Sequence, residues 1–151
     1  MSESIGSLSN LKKLSLSYNN LTSLHESIGS LSKLQVLYLN NNNLTSLPES
    51  IGSLSNLKEL YLYNNNLTSL PESIKTLTKI KRLELEESSY DINNLSMDCH
   101  TLILTRIKNN ITNLPPILRT LYLKHCVNVD MIKLPYGCDI IRFKIKKIDL
   151  I

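Results

Sequence analysis

Tryptophan is absent from these 151 residues, phenylalanine occurs once, and glycine, cysteine and proline number only four, three and five. The glycines stand singly, so no Gly-rich loop exists to cradle a phosphate. Three cysteines at irregular spacing do not make a disulfide framework. The pairs Cys99-His100 and His125-Cys126 lack the ligand spacing of structural zinc sites, so neither metal nor cofactor is expected. A Cys–His nucleophile needs mutual contact and an orienting group, and no segment signals one. An enzyme is therefore not expected. No apolar run approaches the roughly 18–20 residues that span a bilayer. The start, Met1-Ser2-Glu3-Ser4, has neither the basic nor the apolar region of a secretory leader. The expected location is intracellular, the cytoplasm (a host's, if the chain is viral). Strong charge is missing too: 17 Lys and Arg against 13 Asp and Glu leave +4, too little by itself to imply nucleic acid.

What the chain has is repetition. Glu3-Ser4-Ile5-Gly6-Ser7-Leu8-Ser9 returns at Glu26, at Glu49 and more loosely at Glu72, in steps of 23 residues. Between the copies runs Leu-x-x-Leu-x-Leu-x-x-Asn-x-Leu-Thr-Ser-Leu. A period of about 20–50 residues is the signature of a solenoid. The regular rungs open at Leu11, Leu34, Leu57 and Ile80. Leu14 and Leu16 alternate with polar neighbours, the period of a half-buried strand. Pro48-Glu49-Ser50-Ile51-Gly52-Ser53-Leu54 begins with Pro and an acid and spaces Ile51 and Leu54 by three, which predicts a short helical turn. Gly6, Gly29 and Gly52 fall in that return, where small size allows close packing. Asn19, Asn42 and Asn65 recur three residues after the last strand Leu. A buried amide there can donate and accept at once, tying each rung to the next as a structural ladder.

Leu34 to Leu54 and Leu57 to Leu77 meet every fixed position of Leu-x-x-Leu-x-Leu-x-x-Asn-x-Leu-x-x-Leu-Pro-x-x-Ile-x-x-Leu, and Leu11 to Leu31 departs only at His25. In these residues the chain resembles the leucine-rich repeat family, in its 23-residue intracellular subclass of Ras-binding scaffold and plant-intracellular type. The resemblance covers residues 3 to about 85. It implies an α/β solenoid: a right-handed superhelix with a concave parallel β-sheet and short helical or 3-10 segments on the convex side. The expected organisation is one domain over 1–151, regular over 3–85 and built of irregular, shorter repeats and a terminal strand over 86–151.

After Leu85 the pattern loosens. Ser88 stands for Asn and Tyr90 for Leu, and the next strand reads Cys99-x-x-Leu102-x-Leu104. Asn109-Asn110-Ile111-Thr112-Asn113-Leu114-Pro115 echoes the repeat two residues late, which predicts a bulge or longer bend. Leu118-x-x-Leu121-x-Leu123-x-x-Cys126 restores the register, with Cys in the Asn slot, and Ile140-x-x-Phe143-x-Ile145-x-x-Ile148 reads as the last strand. Starts at 80, 99, 118 and 140 make steps of 19, 19 and 22, and seven rungs in all. Cys99 and Cys126 occupy frame positions and should be buried thiols. No capping segment is evident at either end, where Ile5, Leu8, Leu150 and Ile151 suggest a homo-oligomer or a piece of a longer array.

The residues between the strand leucines should face the concave side, along a strip about 29 Å long at about 4.8 Å per rung. Tyr18, Tyr38, Tyr61 and Tyr63 form an aromatic zone over the first rungs, with Tyr122 further along. Glu59, Glu84, Glu86 and Glu87 form an acidic band. Lys124, His125, Arg142 and Lys144, continued by Lys146 and Lys147, form a basic end. Tyrosine and arginine suit interface anchors, so the expected function is non-catalytic protein recognition on this face, as a scaffold or adaptor whose partner is an unidentified protein. The alternative is a substrate-recognition subunit or fragment of a larger activity such as a ubiquitin ligase. Nucleic-acid binding through the basic end ranks below both, because lysines also guard an end strand against edge pairing. The sequons at Asn20, Asn43, Asn66 and Asn110 are by-products of the repeat.

Overall fold

A computed structural model describes residues 3–86, 99–106, 114–124, 126 and 135–143. The expectations for Glu87, Ser88, Tyr90, His125, Lys144, Lys146 and Lys147, and for a bulge near 109–113, fall outside those residues. Buried or partly buried aliphatic residues, Leu in every strand but the last, organise the strands β1 (Lys13–Ser15), β2 (Val36–Tyr38), β3 (Glu59–Tyr61), β4 (Arg82–Glu86), β5 (Thr101–Thr105), β6 (Thr120–Lys124) and β7 (Asp139–Phe143). They pair in parallel, in chain order, as one seven-stranded sheet. Parallel neighbours require a crossover, and in the regular half that crossover carries a single 3-10 turn on the far side, at Glu26–Ser30, Glu49–Ser53 and Glu72–Thr76; a matching turn, Glu3–Ser7, precedes β1. Pro48 and Pro71 enter their turns with φ of −69° and −65°, the value the pyrrolidine ring imposes. His25 replaces that device with a side-chain cap, its Nδ1 accepting the Ser27 amide at 3.1 Å.

The core is a spine between sheet and turns. Leu34, Leu37, Leu39 and Leu44 are fully buried in the second rung, and Leu57, Leu60 and Leu62 repeat them in the third. Each fully buried Leu contributes roughly 1.5–3 kcal/mol. Leu11, Leu14, Leu16 and Leu21 of the first rung are only partly buried, since they have a neighbouring rung on one side.

Asn42 closes the bend of its rung onto the rung before. Its Oδ1 accepts the Leu21 amide at 3.1 Å, and its Nδ2 donates to the carbonyls of Leu16 and Leu39 at 2.8 and 3.0 Å. Asn65 does the same one rung later, with Leu44 N, Leu39 O and Leu62 O. Asn19 bonds only within its own bend, to Leu16 O and Ser17 O. Cys126, in the Asn slot, donates its thiol toward Leu104 O and Lys124 O at 3.5 and 3.4 Å, so a weak donor copies half of the amide's work. The residue before each bend Asn turns left-handed: Tyr18, Asn41 and Asn64 have φ of 57°, 57° and 55°, and Arg106 takes 56° at the matching place after β5. Asn tolerates that conformation; Tyr and Arg carry a cost of about 1–2 kcal/mol.

The last strand differs from expectation. Ile140 pairs with Leu121, not with the Leu118 position, so the rungs after Leu83 step by 19 to Leu102, 19 to Leu121 and 19 to Ile140. The turn Pro135–Cys138, closed by Cys138 N to Pro135 O at 3.2 Å, delivers Asp139 onto Arg119 O at 2.9 Å. That bond is made four residues after Pro135, whereas Thr120 makes the matching bond to His100 O five residues after Pro115, so Asp139 pairs with Thr120. Ile141 therefore stands beside Tyr122, and Arg142 falls opposite the frame residue Leu123, where it is exposed.

Candidate functional site

Three adjacent concave columns, one holding Tyr38 and Tyr61, the next Tyr63 and the third Tyr18, bring the four early tyrosines together. Strands β2 and β3 place Tyr38 directly beside Tyr61, and their rings stack at 4.6 Å with a 20° tilt. Lys13 lies over the outer face of Tyr38 at 5.5 Å, and Arg82 over Tyr61 at 5.6 Å. The stack is thus a four-layer sandwich, cation–ring–ring–cation, across four consecutive strands. The Tyr61 hydroxyl donates to Glu59 Oε2 at 2.7 Å. Burial, together with that carboxylate, pushes the Tyr61 phenol well above its ordinary range. The Tyr63 hydroxyl accepts from Asn40 Nδ2 at 3.2 Å and from Asn41 Nδ2 at 3.5 Å, and burial raises its phenol as well. Tyr18 projects into solvent at 78 % exposure. All four rings, with Ser15, Ser17 and Asn40, border one open hollow of about 430 Å³. A tyrosine-lined hollow offers large rigid area with polar tips and loses little rotamer entropy on contact.

One cation of the expected basic end, Lys124, and a further one, Arg106, are paired with the expected acidic band. Lys124 Nζ reaches from β6 across β5 to Glu84 Oε1 on β4 at 3.0 Å, and Arg106 Nη1 meets Glu86 Oε1 at 2.8 Å. Glu86 also accepts the Asn64 amide. Glu84 is 6 % exposed, a buried carboxylate whose charge is matched by a lysine forty residues on. Ile103 lies between Glu84 and Tyr122 in the register and is closed off from solvent although it is on the concave side. Glu84, Glu86, Arg106 and Lys124, with Tyr63, Asn64 and Thr105, border a second hollow of about 460 Å³. Tyr122 sits beyond Ile103, three strands from Tyr61, and Arg142 lies at a frame position and not in a concave column. Asn40, Asn64 and Arg106 line the hollows without having been singled out from the sequence. Their signal was positional: each occupies a column that already held a chosen tyrosine or glutamate.

Among the described residues no group of three or more His, Cys, Asp and Glu side chains could hold a metal ion, and no helix is long and apolar enough to cross a membrane. Cys99 is buried in the first Leu position of its rung, and burial pushes its thiol up to about 12. Near pH 8 an alkylating reagent should label Cys99 at least about a hundredfold more slowly than Cys138, and the difference should vanish in urea. The folded thiol's raised value also fixes the sign of a stability change. The contribution is fully present below about pH 9, where the unfolded thiol begins to ionise, and is lost as pH rises toward about 12. Equal labelling rates in the folded protein would contradict that burial.

A family model described as "Leucine-rich repeat region" matches residues 1–109. Among solved structures, a leucine-rich-repeat protein of Leptospira interrogans is 36% identical with a TM-score of 0.75, the match covering 83% of this chain and 34% of that one. The leucine-rich-repeat ectodomain of the Arabidopsis thaliana membrane receptor kinase GASSHO1/SCHENGEN3, in complex with Casparian strip integrity factor 2, is 29% identical with a TM-score of 0.67, over 83% of this chain and 17% of that one. The PEPR1–AtPEP1 structure, 23% identical with a TM-score of 0.62 over 94% of this chain and 27% of that one, shares the fold. This chain spans about a third of the length of the Leptospira protein. Comparison with curated proteins returns no match.

Proposed function

This chain belongs to the leucine-rich repeat family, and we propose that it is a non-catalytic recognition module, a scaffold or adaptor, that takes a protein partner on the concave face at the tyrosine hollow. Leucine-rich repeats generally mediate protein–protein interaction, and the Arabidopsis ectodomain is seen in complex with Casparian strip integrity factor 2. The observation that carries the reading is the convergence of Tyr18, Tyr38, Tyr61 and Tyr63 on one open hollow. Interface anchors are enriched in tyrosine, and one or two such rings commonly carry about 2 kcal/mol or more of binding energy each. The Tyr38–Tyr61 stack is already braced by Lys13 and Arg82, so its rings are held in place before a partner arrives, which lowers the ordering cost of binding.

The basic-end reading loses one of its cations, because Lys124 is engaged by Glu84. The test of the concave reading is a triple variant, Tyr38→Ser, Tyr61→Ser and Tyr63→Ser, compared with the parent in affinity capture from the source cell. Specific partners should be lost while the thermal melt shows the solenoid intact. Capture of the same partners in the same amounts would overturn the assignment of the hollow.

A further inference from the structure

Just before each strand, the amide of one rung donates to the carbonyl of the rung before it. Gln35 N meets Lys12 O, Lys58 N meets Gln35 O and Lys81 N meets Lys58 O, all at 2.8 Å; His100 N then meets Lys81 O at 3.2 Å and Arg119 N meets His100 O at 2.9 Å. These bonds stack Lys12, Gln35, Lys58, Lys81, His100 and Arg119 in one column, along the rim where the convex return enters the sheet. Lys12, Lys58, Lys81 and Arg119 are exposed, and no carboxylate among the described residues pairs with them. Lys33 and Lys79 stand beside the same column. Neutral amides steer three of these lysines: Lys33 to Asn10 Oδ1 and Lys79 to Asn56 Oδ1 at 2.8 Å, and Lys58 to Gln35 Oε1 at 3.2 Å. An amide orients an ammonium group without cancelling its charge. On the concave face Arg106 and Lys124 are matched by Glu86 and Glu84, while Lys13 and Arg82 lie over tyrosine rings. Among the described residues the rim therefore carries a line of cations that no carboxylate neutralises.

We propose that this rim binds an extended acidic peptide segment. The proposal goes beyond the concave-face reading and uses a different surface, so either can fail alone. Five steps of about 4.8 Å make the cationic column about 24 Å long, the span of about seven residues of extended chain. The charge lies in a line one or two columns wide, about 5–10 Å. A line that narrow fits a single peptide strand with acids on alternate residues, and is too narrow to track both backbones of a duplex. Binding of single-stranded nucleic acid calls for stacking platforms interleaved with the cations. The rim column has no Phe, Tyr or Trp and a single imidazole, His100, too few rings for a run of stacked bases, and Tyr38 and Tyr61 on the concave side already have their faces covered. Glu59, the acid next in sequence to Lys58, is turned to the Tyr61 hydroxyl on the concave side and leaves the rim line cationic.

The probe is a fluorescent peptide of about ten residues alternating Glu and Ser, with its Gln/Ser counterpart, a single-stranded RNA of similar length and vesicles containing phosphatidylserine as comparisons. Anisotropy at low salt should show the acidic peptide bound and the Gln peptide unbound. The combined variant Lys12→Gln, Lys58→Gln, Lys81→Gln and Arg119→Gln should weaken binding by about tenfold or more. The tyrosine triple variant should bind the peptide as the parent does. Raising the salt to about 0.5 M should abolish the interaction, because exposed pairs are screened. These four positions are exposed, so the variant should melt as the parent does, and its melt is recorded alongside. Absence of peptide binding, binding unchanged in the rim variant, or tighter binding of RNA or vesicles than of the peptide would each overturn the proposal.

Discussion

Asn42→Ala should lower the unfolding free energy by roughly 3–5 kcal/mol. The side chain accepts one amide and donates to two carbonyls, belonging to Leu21, Leu16 and Leu39, and it is 6 % exposed. Alanine cannot replace any of these bonds, and each buried backbone group left unpaired costs about 1–3 kcal/mol. Partial entry of water reduces the sum, which places the expectation below the upper limit. Asn19→Ala is the internal comparison. Asn19 is exposed and bonds only within its own bend, so its removal should cost less than about 1.5 kcal/mol. Urea melts of both variants decide the point. The transition of Asn42→Ala should also broaden, because the lost bonds are those that couple the first rung to the second. If the two substitutions cost the same, the Asn42 bonds between rungs carry no special weight.

Gly29→Ala should destabilise by roughly 2–4 kcal/mol although alanine is the better helix former. A Cβ built on Gly29 would lie 2.5 Å from the Ser50 carbonyl oxygen and 2.7 Å from Ser50 Cβ. The obstacle is the backbone of the next 3-10 turn, which cannot rotate aside as a flexible side chain would. That turn is further fixed by the Ser50 amide, which donates to Glu26 Oε2 at 3.1 Å. Helix propensity favours Ala over Gly by about 1 kcal/mol, less than the expected overpacking cost, so the clash decides the sign. Gly6 meets its nearest neighbours only at 3.0 and 3.1 Å, so Gly6→Ala should cost about 1 kcal/mol or less. Thermal melts that rank Gly6→Ala at or above Gly29→Ala would show that the convex turns are not packed this closely.

The two surfaces differ in how each could be found. The tyrosine hollow follows from the concave columns once the repeat is aligned. The rim column is equally regular, but its residues stand outside the Leu-x-Leu alternation that marks the strand, so a search for strand-facing residues passes over it. The neutralisation of Glu84 was not legible at all. It depends on a lysine side chain crossing an entire rung, and nothing in a local pattern reports the reach of a side chain between strands that are not neighbours.

By itself the sequence determined the repeat, the frame leucines, the short convex turns and the order of the strands. Those follow from a strict period and from alternation, which act over a few residues at a time. It also marked His25 as the one departure in the first rung, though it did not show that the imidazole would cap the turn. Tertiary structure alone decided the register of β7, because the ladder bond from Asp139 to Arg119 places Ile140 three positions from where its apolar spacing put it. It alone also decided which charges remain free. The concave ion pairs form between rungs, at separations such as the forty residues from Glu84 to Lys124, and only stacking brings those groups within reach.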